Sequence, residues 1–502
     1  MVRRARVLGA VGVLCVLVAG LAGPLAAAET KIEPDSAPPA VAQAEPQDSP
    51  EEQLRARLTE REDQRRPFDP WTIPLAGRPL IVGGEYELAA AYLRRRDAGG
   101  DRLLLEQGLE AEAFYSFRRP LSLFVQGRAV WQRDLRSGSA EDVSARFVER
   151  GEMWLYTENV LDTRLNLDIG RLHFEDDRRW WWDEELDAVR LEWEGGEFEL
   201  TAALARELAS ARSDRDWVDA GQERVSRLIA EAQWNWHKHH GAQFFLLRQQ
   251  DRSATELPSD TVASEREDSS DARLTWSGLR FSGLFELRSQ AIVGYWLDAA
   301  WLRGDETLIE YDPPSAGRSA VTGVERQRVR GWAADAGGNW LLPYRWEPRL
   351  FAFYARGSGD RVAGDAVDRS FHQTGLHGNE AGYGGVERYA GYGIALDPEL
   401  SNLDIFNIGA GMTVLKSSSL DVLYHRYRLV EYASELRDAR FDLPLTGASR
   451  DLGQGLDAVL ALEEWERLEF SVMASGFRAG RAAVTRAGEW NYMALLAMRY
   501  AF

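Results

Sequence analysis

The chain ends Trp490-Asn491-Tyr492-Met493-Ala494-Leu495-Leu496-Ala497-Met498-Arg499-Tyr500-Ala501-Phe502. Trp490, Tyr492, Ala494, Leu496, Met498, Tyr500 and Phe502 take every second position, the period of a strand with one apolar face. Aromatic residues stand near both ends of that face, where the two interfaces of a bilayer would hold them. The opposite face (Asn491, Met493, Leu495, Ala497, Arg499, Ala501) is mixed, as the inside of a wet barrel can be. Alone, this strand fits a membrane barrel and an ordinary sandwich equally well.

The rest of the chain decides between them. From Leu80 onward the period stays at two. Tyr86, Leu88, Ala90 and Tyr92 oppose Glu85 and Glu87, and Leu121, Leu123, Val125, Gly127, Ala129 and Trp131 oppose Ser122, Gln126 and Arg128. Phe198, Leu200, Ala202 and Leu204, then Ala230, Ala232, Trp234 and Trp236, then Leu468, Phe470, Val472 and Ala474 repeat the pattern. There are about eighteen such runs, each near the ~9–11 residues that a tilted strand needs to cross a bilayer. Short connections (Arg118-Arg119-Pro120, Glu194-Gly195-Gly196, His237-Lys238-His239-His240) alternate with long polar ones: 134–146, 209–227, 252–271, 305–328, 357–400 and 431–454. A soluble repeat protein would show one motif per blade, and none is present. The sequence therefore predicts an all-β fold, a transmembrane antiparallel β-barrel of about 18 strands over residues 80–502 with long extracellular loops.

Residues 1–28 read as a signal peptide: Arg3, Arg4 and Arg6, an apolar core from Val7 to Leu21, and the small residues Ala26-Ala27-Ala28. The mature chain is expected to start at Glu29. Its single cysteine, Cys15, leaves with the signal, so no disulfide or thiolate metal site remains. Residues 29–79 read as a periplasmic linker, Pro-rich to Pro50, with a possible short charged helix from Glu51 to Arg66. The net charge of −19 excludes nucleic acid as a partner. No second apolar run is long enough for a membrane helix. Export, strands and aromatics together place the protein in the cell outer membrane, with lipid as its surroundings.

Enzyme signatures are missing. There is no G-x-S-x-G and no H-E-x-x-H, and among 79 acidic residues a carboxylate pair proves nothing. His237, His239 and His240 fit a polar hairpin turn better than a metal site. His425 is the strand histidine a hydrolase would use, with no partner evident in the sequence. No catalytic residue, cofactor or metal is expected. The densest stretch is Gly170-Arg171-Leu172-His173-Phe174 followed by Arg178-Arg179-Trp180-Trp181-Trp182-Asp183-Glu184-Glu185-Leu186-Asp187-Ala188-Val189-Arg190. Strand neighbours alternate, so three consecutive tryptophans cannot all face lipid. At least one should face the lumen or a loop, where an indole can stack on a sugar ring; an interfacial aromatic belt is the alternative. Arg171, Asp183, Asp187 and Arg190 mix signs and suit pairing across a lumen.

Several stretches, in order, resemble the alginate-export porins of the outer membrane. They are Gly170-Arg171 with Trp181-Trp182-Asp183 and Ala188-Val189, Tyr295-Trp296 through Trp301-Leu302-Arg303-Gly304-Asp305, and Tyr354-Ala355-Arg356-Gly357-Ser358-Gly359. Phe371 through Gln373-Thr374-Gly375-Leu376, Glu399-Leu400-Ser401-Asn402-Leu403, Tyr424-His425-Arg426-Tyr427 and Asp451-Leu452-Gly453-Gln454 through Leu456-Asp457 continue the match. The resemblance implies an eighteen-stranded monomer that passes a linear uronate polysaccharide outward through a lumen lined by Arg and Lys. It further implies gating by long loops and a periplasmic turn, and a periplasmic scaffold partner with helical repeats. Carried over by position, the substrate path would include Arg171, Asp183, Arg212, Asp214 and Arg356, with Arg150 a looser match. Arg128, Trp181, Asp187, Arg190 and Arg426 complete it from this chain's own pattern. Arg356, at a strand end before the longest loop, is expected to share the lumen with Arg171. Glu85, Glu87, Glu110 and Glu112 depart from the family's basic early strands and lower the potential that a polyanion needs. They favour the alternative of a general or neutral-glycan porin, and an outer-membrane hydrolase ranks below both.

Overall fold

The computed structural model describes residues 71–502, apart from 95–99, 119–120, 137–142, 254–256, 313–314, 316, 363–364, 442 and 485–486. The expected signal peptide, and the linker with its helix up to residue 70, lie outside the described residues. A short strand, Trp71–Leu75, folds back on the start of the barrel through Ala76 and Gly77.

Eighteen strands close into one antiparallel barrel. They are β1 (Arg78–Arg94), β2 (Arg102–Arg118), β3 (Leu121–Arg136), β4 (Val143–Thr157), β5 (Leu165–Glu175) and β6 (Asp183–Gly195). Next come β7 (Phe198–Arg206), β8 (Ser226–His237), β9 (His240–Gln250), β10 (Ser270–Glu286), β11 (Ile292–Tyr311) and β12 (Arg318–Leu341). The set ends with β13 (Arg349–Gly357), β14 (Leu403–Val414), β15 (Ser418–Leu429), β16 (Asp451–Leu462), β17 (Leu468–Ala479) and β18 (Trp490–Ala501). Each pairs with its neighbour in sequence, and β18 pairs with β1 from Tyr492↔Arg94 to Ala501↔Glu85.

The alternation of the last strand resolves as expected. Tyr492, Ala494 and Tyr500 are exposed on the lipid face, while Asn491, Met493, Leu495 and Ala497 are buried inside. Outward tryptophans form two girdles, with Trp301 and Trp332 toward the long connections and Trp234, Trp236 and Trp340 toward the short turns. The short turns 238–239, 415–417 and 463–467 mark the periplasmic end.

Closure extends to the final residue. Gly84 N–H donates to the Phe502 carbonyl at 3.1 Å, and Phe502 N–H donates to the Gly84 carbonyl at 3.0 Å. A Cβ on Gly84 would lie 2.8 Å from the Phe502 ring, so the glycine makes room for the terminal aromatic. Deleting Phe502 should sharply lower the yield of heat-modifiable barrel, because an open strand edge is not tolerated in lipid. An undiminished yield would count against this closure.

Among the described residues, strand takes up part of two expected loops. The stretch 305–328 continues β11 and β12 as a hairpin, with pairing that runs on through Asp305↔Arg328, Thr307↔Arg326 and Ile309↔Val324. The β-branched Thr307, Ile309, Val321 and Val324 favour this pleat even among charges. Likewise β3 runs to Arg136 and β4 starts at Val143, which shortens the 134–146 connection. The tryptophans Trp180–Trp182 lie on neither strand nor lipid face. They belong to an inward-folded connection and are 1–3% exposed.

Candidate transport path

Two connections from the extracellular end fold into the barrel: 176–182, between β5 and β6, and 358–402, between β13 and β14. They interlock. Asp183 N–H donates to the Leu376 carbonyl at 2.6 Å, and Gly378 and Asn379 N–H donate to the Arg179 carbonyl at 2.8 and 2.9 Å. Trp180 stacks on Phe371 with centroids 6.3 Å apart, and its indole N–H donates to the Tyr392 hydroxyl at 2.7 Å. Trp181 stacks on Phe245 of the inner wall at 4.9 Å. Gly278 permits this, since a Cβ there would sit 2.2 Å from the Trp181 ring.

Charges fix the pair to the wall. The Arg178 guanidinium lies 2.7 Å from Asp298 and 3.1 Å from Asp335, 4.5 Å above the Trp296 ring. Arg280 bonds Asp176 and Asp298, both at 2.7 Å. Asp335 also accepts from the Trp296 indole at 2.8 Å and the Tyr392 hydroxyl at 2.7 Å. Asp298 and Asp335 are fully buried, and such carboxylates persist only when their oxygens are paired.

The longer segment reaches almost through the barrel. Ile394 N–H donates to Asp457 at 2.9 Å, Ala395 N–H to Ser475 at 2.9 Å, and Val386 N–H to Ser419 at 3.1 Å. Ser419 is the second residue of β15, beside the periplasmic turn 415–417, so the segment spans most of the lumen's depth. Tyr383 stacks on Phe351 and Phe353 at 4.8 and 5.3 Å. Gly393, at φ 103°, lets the chain pass the Tyr427 hydroxyl, which a Cβ would meet at 2.0 Å.

The histidine weighed for hydrolysis belongs to this anchoring. His425 does have a partner, Asp457, 2.9 Å from Nε2, and its Nδ1 meets Asn407. Ser475 bonds Asp457 rather than the imidazole. All lie buried beneath the inserted segment. A second strand histidine, His173, bonds Asp183 at 3.0 Å. Among the described residues, the acidic trio Asp251, Asp268 and Asp271 at the extracellular rim brings ligand oxygens within 4.8 Å of one another. Burial, then the charges of Asp268 and Asp271, push the Asp251 carboxyl up to about 7.

The inserted segments cover the interior of β10–β17, where Arg280, Asp298, Asp335, Asp421 and Asp457 are at most 1% exposed. The interior of β1–β6 and β18 is different. Glu87 and Arg128 keep 20% and 23% side-chain exposure, Glu185 30%, Arg190 23% and Arg499 30%. Arg128 pairs with Glu87 and with Glu106 at 2.9 Å. Arg190 pairs with Asp168 at 3.1 Å and Glu192 at 3.0 Å, and Arg171 with Glu185 at 3.2 Å. The tip of the longer segment faces this wall through Arg388–Glu175 at 2.7 Å and Glu387–Arg499 at 3.8 Å.

The candidate residues thus divide. Arg128, Arg171 and Arg190 stand on this wall, with Asp183 near its extracellular end beside His173 and Arg179. Arg150 grips Asp187 at 2.9 and 3.0 Å and the carbonyls of Ala209 and Ser210 at 2.7 and 3.2 Å. That makes both struts for the 207–225 connection. Arg212 packs over Phe147 at 3.6 Å and bonds Asp214 at 2.6 Å within that connection. Trp181, 1% exposed, has no free face for a sugar.

Arg356 and Arg426 do not enter the lumen. Arg356 shares strand parity with the exposed Leu350 and Tyr354 and pairs outside with Asp404 at 3.1 Å. Arg426 shares parity with the exposed Val422 and Tyr424 and pairs with Asp451 at 2.8 Å. The alternation alone could have settled both placements. Arg178, Arg280, Asp298 and Asp335 were missed. For the wall residues, the signal was a charge on the inward parity of a strand otherwise lined by small or apolar residues.

A family model described as alginate export matches residues 85–493. The alginate production protein AlgE of Pseudomonas aeruginosa is 25% identical over 59% of this chain and 59% of its own length. AlgE of Pseudomonas syringae pv. tomato is 23% identical over 64% of this chain and 66% of its own. Each alignment therefore spans less than two thirds of the relative. Among solved structures, Pseudomonas aeruginosa OccK5 (OpdH) is 10% identical with a TM-score of 0.49, covering 84% of this chain and 98% of that one. The outer membrane protein OprD of the same organism is 13% identical with a TM-score of 0.46, covering 84% and 93%. The protein is an outer-membrane β-barrel, and the chain belongs to the alginate-export family.

Proposed function

We propose that this barrel is a non-enzymatic channel that exports an anionic, uronate-type linear polysaccharide. The path runs along the interior of β1–β6 and β18, beside the inserted segment 358–402. The supporting observation is the partial exposure of Arg128, Arg190, Arg388 and Arg499 on that side of the lumen, against full burial opposite. A guanidinium presents a fork of donors to a carboxylate and stays charged at any working pH. Each of these arginines already faces a wall carboxylate, so a moving uronate exchanges one partner for another instead of being held. The family match makes alginate the first polymer to test, and a monomeric barrel with a helical-repeat periplasmic scaffold is carried over on the same ground.

Glu85, Glu87, Glu106, Glu110 and Glu112 favour a second reading, a general porin for neutral sugars. Blocking of bilayer current decides between them: oligouronates should interrupt it at lower concentration than neutral oligosaccharides of equal length. Equal block, or none by uronates, would leave the general porin. No shortening of the glycan is expected in either case.

Charge reversal gives a sharper contrast. Arg190→Glu should shift the reversal potential in a salt gradient toward cations, since a unit charge at ~8 Å and an effective dielectric of ~20 contributes about 2 kcal/mol. Arg356→Glu should leave it unmoved, because that side chain is outside the barrel. The opposite pattern would contradict the proposed path.

A further inference from the structure

The outer wall carries a feature that polysaccharide passage does not use. On the lipid-facing parity, Arg248 of β9, Thr275 of β10, Arg303 of β11 and Arg330 of β12 lie in one register row across four adjacent strands. The next row outward is Gln250, Arg273, Asp305 and Arg328. The row just below contains Trp301 and Trp332, and beneath it lie the exposed Phe244, Leu279, Phe281 and Leu297. Two residues along a strand are roughly 7 Å. The arginines therefore sit one step above the tryptophan girdle, at the height of the outer-leaflet headgroups.

They also lack counter-charges. Two outward arginines on the other side of the barrel are paired, Arg356 with Asp404 at 3.1 Å and Arg426 with Asp451 at 2.8 Å. Among the described residues, no carboxylate lies within ion-pairing distance of Arg248, Arg273, Arg303 or Arg330, although Asp305 and Asp271 share this face. All four arginines are exposed. Arg248, Arg273, Arg303, Thr275, Ser277 and Trp301 line a shallow cleft of about 650 Å³, with Asp305 as the carboxylate on its lining. It thus has a guanidinium rim, hydroxyls on its floor and an indole at its membrane-side edge.

We infer that this sector binds the phosphorylated headgroup of an outer-leaflet glycolipid, with acyl chains against the apolar wall and phosphate oxygens between Arg273, Arg303 and Arg248. Guanidinium–phosphate contacts are charge-assisted and bidentate, and the continuous apolar band below supplies the second half of a lipid's recognition. A polyanion leaving the lumen has no such need for an adjoining lipid face.

The test uses the purified full barrel in detergent, titrated with bisphosphorylated lipid A and with the same lipid stripped of phosphate, and read by native mass spectrometry. The phosphorylated lipid should bind clearly tighter. Arg273→Gln with Arg303→Gln should weaken it by roughly tenfold to thirtyfold, given about 1 kcal/mol per basic residue at an anionic surface. Inorganic phosphate and oligouronates should not displace it. Equal retention of the dephosphorylated lipid by the unaltered barrel would overturn the inference, even if the double variant failed to fold. Undiminished binding in a folded double variant would also overturn it. Displacement by inorganic phosphate would reduce the sector to a simple anion site, and displacement by oligouronate would assign it to the exported polymer.

Discussion

Replacing residues 371–398 with a short glycine-serine turn should raise the single-channel conductance of the reconstituted barrel severalfold. An eighteen-stranded barrel encloses an aqueous channel when nothing fills it. Here the 358–402 segment occupies much of that space, from Phe371 beside Trp180 to Val386 beside Ser419. The strands should persist, because their backbone hydrogen bonds are made with one another. Heat-modifiable migration would confirm that. Unchanged conductance in a folded variant would mean that the segment does not limit the pore.

Asp335→Ala should act in the same direction through a single side chain. Asp335 accepts from Arg178 of the shorter segment, from Tyr392 of the longer one, and from Trp296 of the wall. Its removal leaves a buried guanidinium with Asp298 as its remaining carboxylate partner and strands a hydroxyl and an indole. Breaking a buried pair from one side costs about 3–5 kcal/mol. The barrel should still assemble, while limited proteolysis from outside should cut within 358–402 far faster than in the unaltered protein. Asp335→Asn should be milder, since its amide oxygen still accepts. Equal protease resistance of the alanine variant would show that the aromatic stacking alone holds the segments.

The barrel was legible because membrane strands obey one strong rule. Lipid on one side and lumen on the other impose a strict period of two, so the faces of Trp490–Ala501 could be assigned residue by residue. The inserted segments have no such period. Trp180-Trp181-Trp182 announces burial but not against what, since Phe245, Gly278, Phe371 and Tyr392 lie far away in sequence. Proximity to a motif misled the placement of Arg356, whereas parity with Leu350 and Tyr354 placed it correctly. The 305–328 hairpin was missed because its charged, water-facing strands lack the apolar face by which strands are recognised.

The closing contact between Gly84 and Phe502 also bears on the order of events during biogenesis. The seam joins the first strand to the last, so the ring shuts only after every other strand is in place. By then Arg178, supplied early in the chain, and Tyr392, supplied late, have to converge on Asp335. If the seam shut first, the bulky Trp180–Trp182 stretch and the long segment would have to thread into a finished cylinder while Asp298 and Asp335 waited without their donors. Filling before sealing avoids that intermediate. On this account the contact between Phe502 and Gly84 acts as a latch that closes over an interior already filled.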